Sequence, residues 1–106
     1  MLEIISHGTS IFFRPKDENK GLTFSMLNNI ARLGAEDAEL SGYRLYLVSE
    51  ITDEHANWFV FEQSYKSCTI EEIKSVVNKL REVCDGIELM FAAQICTPEL
   101  KEVQLD

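Results

Sequence analysis

The chain is short of nearly everything that would place it outside the ordinary globular class. Its longest unbroken apolar stretch, Leu89 to Ala93, is five residues, far below the roughly 20 that a membrane-spanning helix needs. Cysteine is sparse and odd in number: Cys68, Cys84 and Cys96 are separated by 15 and 11 residues, with no C-x-x-C. That spacing excludes a disulfide framework and the paired ligands of a structural zinc site, and leaves each cysteine as a small buried hydrophobe. With 5 glycines there is no G-x-x-x-x-G-K-[ST], G-x-G-x-x-G, G-x-S-x-G or H-E-x-x-H, so the common nucleotide, hydrolase and zinc-protease templates fail. Basic residues are also few, 10 Lys plus Arg against 18 Asp plus Glu, a formal charge of -8. Both halves of the chain are acidic and no basic cluster interrupts them, which argues against nucleic acid or an anionic membrane as a direct ligand. The opening Met1-Leu2-Glu3-Ile4-Ile5 has an acid and no basic n-region, so no secretory signal is read and a cytoplasmic protein is expected.

What is present is a core. Apolar residues make up 45% and charged residues 26% of 106 positions, which predicts one folded domain over 1–106. Residues 2–5 and 9–14 are β-rich with Ser6-His7-Gly8 between them, a hairpin or a bent strand. Pro15 and the polar run to Gly21 form a loop. Met26, Leu27, Ile30, Ala31 and Leu33 recur at helical spacing, which predicts a helix over about 23–33, with Thr23 or Ser25 as N-cap and Gly34 just past its end. Tyr43, Leu45, Leu47, Ser49 and Ile51 alternate along a strand, and Trp58 to Phe61 should return antiparallel to it. Thr69-Ile70-Glu71-Glu72 is a capping box. It opens a second helix with an apolar stripe of Ile70, Ile73, Val76, Val77, Leu80, Val83 and Cys84, closed by Gly86. Ile87 to Ile95 alternate as a last strand whose second face is also apolar, which predicts a central position. Residues 98–106 read as an acidic tail with a fraying turn of helix. The order β-β-α-β-β-α-β predicts an α+β two-layer sandwich, with two helices on one face of a mixed, mainly antiparallel sheet of about five strands.

No pattern fixes a reaction. Cys68 lies just ahead of the capping box, and His7 and His55 are the histidines that a thiol nucleophile would need, but nothing in the spacing joins them. Glu50, Asp53, Glu54 and His55 are potential ligands at a hairpin turn, and Asp17-Glu18-Asn19 resembles a calcium loop only in composition. Both read as solvated turns. The expectation is therefore a non-enzyme without cofactor or metal. Acidity steers an encounter with a basic partner. Glu36, Asp37, Glu39, Glu50, Asp53 and Glu54 are the candidate carboxylates, and Tyr46, Trp58 and Tyr65 the candidate aromatic anchors. In size, acidity and mixed α/β character the chain is similar to bacterial immunity proteins, which implies a basic toxin or nuclease as partner. The alternatives are an acidic secretion chaperone or dimeric adaptor using an apolar sheet edge or face, a phage-type nucleic-acid mimic, or a small enzyme using Cys68 or His7.

Overall fold

Five strands and two helices make up the computed structural model, which describes residues 7–17, 19–48, 58–97 and 99–105. Strand β1 (Gly8–Pro15) is followed by helix α1 (Phe24–Glu36) and a single 3₁₀ turn (Ala38–Leu40). Strands β2 (Arg44–Val48) and β3 (Trp58–Gln63), helix α2 (Ile70–Val83) and strands β4 (Leu89–Thr97) and β5 (Glu99–Gln104) complete the order. The sheet runs β2-β3-β1-β4-β5, and every described pairing is antiparallel. The expected α+β architecture is present, with no parallel pair among the described residues.

Register sorts the side chains by face. Ile11 lies opposite Phe61 and Ala93, and Phe13 opposite Phe59 and Phe91. These residues join Ile30 of α1 and Ile73, Val76, Val77 and Leu80 of α2 in the main core. Phe13 stacks on Phe59 with centroids 5.7 Å apart. The other face carries a smaller cluster of Phe12, Trp58 and Val60, flanked by Met90 and Ala92, with the Arg14 guanidinium 4.9 Å from the Trp58 ring centroid. Trp58 to Phe61 is thus buried on both sides.

Several expectations need correction. The carboxy-terminal segment is not a helical turn: Glu99–Gln104 pairs with β4 as an edge strand. As a result β4 is interior but not central, a place that β1 holds. Helix α1 runs past Gly34 to Glu36. An added Cβ at Gly34 would overlap the Tyr43 carbonyl oxygen and come to 2.9 Å from its carbon. The glycine is there for close packing, not for a left-handed cap. Ile70 is half exposed at the first turn of α2 and not part of the stripe. The expected strand at 2–5 and the turn at 52–57 lie outside the described residues.

Candidate partner-binding site

Segment 63–69, between β3 and α2, is held by side chains from inside the sheet. Gln63 (2% exposed) and Thr9 (0%) face each other across β3 and β1 on the helix side. Gln63 Oε1 accepts from the backbone N–H groups of Tyr65 at 2.8 Å and Lys66 at 2.9 Å. Its Nε2 donates to the Lys66 carbonyl. Thr9 Oγ1 accepts from the Cys68 N–H at 3.1 Å. A buried amide and hydroxyl thus satisfy a turn that has no strand or helix to do so. Directly after it, Thr69 caps α2, with its Oγ1 accepting from the Glu72 N–H at 3.2 Å and Glu72 Oε1 accepting from the Thr69 N–H at 3.3 Å. The predicted capping box is present.

This turn delivers Cys68 to Tyr43, whose hydroxyl lies 3.3 Å from the Cys68 sulfur. The Tyr43 ring stacks on Phe61 with centroids 4.8 Å apart. Burial pushes the Tyr43 phenol well above its ordinary value, and the bond to Cys68 adds to the rise. The pair floors a cleft of about 350 Å³ together with Leu40 and Val76, while Glu39, Lys66, Glu72 and Ser75 stand at its rim. The Glu72 carboxyl is held below its usual value by its bonds to Thr69, with Lys66 contributing less. Beside the cleft, Tyr65 is 49% exposed. Its hydroxyl donates to the Ser41 carbonyl, and its ring covers Gly42, where an added Cβ would come to 2.5 Å from Cε1.

The candidate acids are brought together but are not bare. Arg32 pairs with Glu36 at 3.2 Å along α1. Lys79 of α2 reaches Asp37 at 2.9 Å and Glu39 at 3.2 Å. Asp37 is held below its ordinary pKa chiefly by Lys79, then by the Glu39 N–H that its carboxylate accepts. The group Glu36, Asp37, Glu39 and Tyr65 therefore shares one end of the molecule with the cleft. Tyr46 lies elsewhere, on the helix-free side of β2 opposite Val60. Trp58 lies in the small core cluster. Glu50, Asp53 and Glu54 fall outside the described residues, as does His55.

Sequence reasoning missed Gln63, Thr9 and the Tyr43–Cys68 contact. The hydrogen-bonding side chains Thr9 and Gln63 at inward-facing strand positions were the available signal. Among the described residues no three His, Cys, Asp or Glu side chains converge as metal ligands, and no helix is long and apolar enough to cross a membrane. No protein-family model matches the chain, and neither a curated protein nor a solved structure matches it.

Proposed function

We propose that the protein is a non-catalytic inhibitory binder, of the immunity-protein kind, which covers the active or substrate-binding surface of a basic partner such as a nuclease toxin. The observation that carries this reading is the cleft beside Tyr65, with its apolar floor and its carboxylates Glu39 and Glu72 at the rim. A lysine or arginine side chain of a basic protein matches that form. Its methylene stem lies along Leu40, Val76 and the Tyr43 ring while its charge meets the rim carboxylates. Tyr65 supplies an aromatic contact next to it, held in place by Ser41 and Gly42. The net charge of -8 favours fast encounter with such a partner and disfavours nucleic acid and anionic membranes.

A pulldown from the native cell with tagged protein, eluted over a salt gradient, tests the reading. The expected result is a stoichiometric basic protein released at high salt, whose activity on nucleic acid falls on addition of the wild-type chain. Ser75→Arg fills the cleft from an exposed position on α2 and should weaken inhibition at least tenfold. Full inhibition by Ser75→Arg, or no basic protein retained at low salt, would contradict the proposal.

A further inference from the structure

The two edges of the sheet are defended differently. Strand β5 carries Lys101 and Glu102, both exposed, charges of the kind that keep an open edge from pairing. Strand β2, Arg44-Leu45-Tyr46-Leu47-Val48, has one charge, at its first position, and neither proline nor glycine. It is hydrogen-bonded to β3 on one side and is last in the sheet order on the other among the described residues. Two exposed large apolar residues, Tyr46 at 44% and Leu47 at 58%, stand on this one strand.

We infer that β2 is the surface through which two copies of this chain pair, antiparallel and edge to edge, into one continuous sheet. The segment favours a second copy over an unrelated strand because Leu45-Tyr46-Leu47 reads the same in both directions. A two-fold interface must be complementary to itself. With Tyr46 of each copy opposite the other, Leu45 of one copy lies opposite Leu47 of the second, and vice versa. Register parity is kept, so both leucines stay on the helix side and both tyrosines on the opposite side. Arg44, the only charge on the strand, falls at opposite ends of the paired segment in the two copies, so no like charges are opposed. The strand itself has no acid, although the chain as a whole is acidic. Two five-residue strands make a small contact beside the roughly 1,200 Å² of a standard interface, and the dimer therefore dissociates on dilution. No residue of β2 lines the cleft, and the inference does not depend on the partner proposed for it.

Sedimentation of the full chain over a concentration series tests this. The mass should rise from 12.1 kDa towards twice that value. Leu47→Lys should weaken association at least tenfold, whereas Ile70→Lys, at another exposed apolar position, should leave it unchanged. Oxidative cross-linking of Tyr46→Cys gives a second reading that holds even if Leu47→Lys misfolds. It should yield a covalent dimer at least tenfold faster than Lys101→Cys on β5, because facing residues of a strand pair bring their Cβ atoms within disulfide reach. A chain that stays at 12.1 kDa at every concentration, or cross-linking no faster at position 46 than at 101, would overturn the inference. So would an edge that stays monomeric and takes up only an extended segment of another protein.

Discussion

At the scale of single residues, the polar side chains inside the molecule decide its local structure. Gln63 satisfies three backbone groups of the turn that positions Cys68 and Thr69. Glu62, its neighbour in the chain, faces the other side of the sheet and accepts a hydrogen bond from the Ser10 hydroxyl at 3.2 Å. Burial raises the Glu62 carboxyl, and the Ser10 bond only partly offsets the rise. A folded-state value above the unfolded one means a contribution that is fully present below the unfolded pKa and is lost as pH rises through the folded one. Glu62→Gln keeps an acceptor for Ser10 and removes the buried charge. Its urea midpoint should exceed that of the wild type at pH 7, and the difference should vanish towards pH 4. Asp37 and Glu72 have the opposite sign, because their lowered values give stability that is lost as pH falls through them. They are common to both proteins and cancel in the comparison. An equal difference at both pH values would show that the charge of Glu62 does not matter.

Elements were legible where a local rule sufficed. Thr69 and Glu72 announce the start of α2 because a capping box closes within four residues. The β2–β3 hairpin follows from alternation and aromatic content. Legibility ended where a distant segment decides. Gly34 looks like a helix stop, yet α1 continues through it, because the helix comes so close to Tyr43 that no side chain fits. This predicts the sign of one substitution. Gly34→Ala should gain up to about 1 kcal/mol of helix propensity but lose at least about 2 kcal/mol more than that to overlap with backbone that has no freedom to yield. Chemical denaturation should find it clearly destabilised, and a neutral or stabilised variant would contradict the packing. Strand β5 was missed for a related reason. Leu100 falls out of phase with Val103 and Leu105, and the segment is a strand because it pairs along β4. The candidate site shows the same division. The cluster Glu36, Asp37 and Glu39 is visible in the sequence, whereas the Lys79 that ties two of them comes from 40 or more positions away.

For the molecule as a whole, the net charge of -8 is not simply displayed. Arg32 and Lys79 meet three of the acids near the cleft and Lys66 lies 3.7 Å from Glu72, so a basic partner of the kind proposed would compete with Lys79 for Glu39 and with Lys66 for Glu72. Such surface pairs are each worth little, and the exchange is possible at modest cost. The proposed function puts recognition at the cleft beside Tyr65 and not on β5. The most direct measurement of the proposed function is amide hydrogen exchange of the full chain, alone and saturated with the basic protein that the pulldown should retain. The account predicts new protection in residues 38–43 and 65–76, the segments that line the cleft. Protection concentrated on β5, with those segments unchanged, would contradict it.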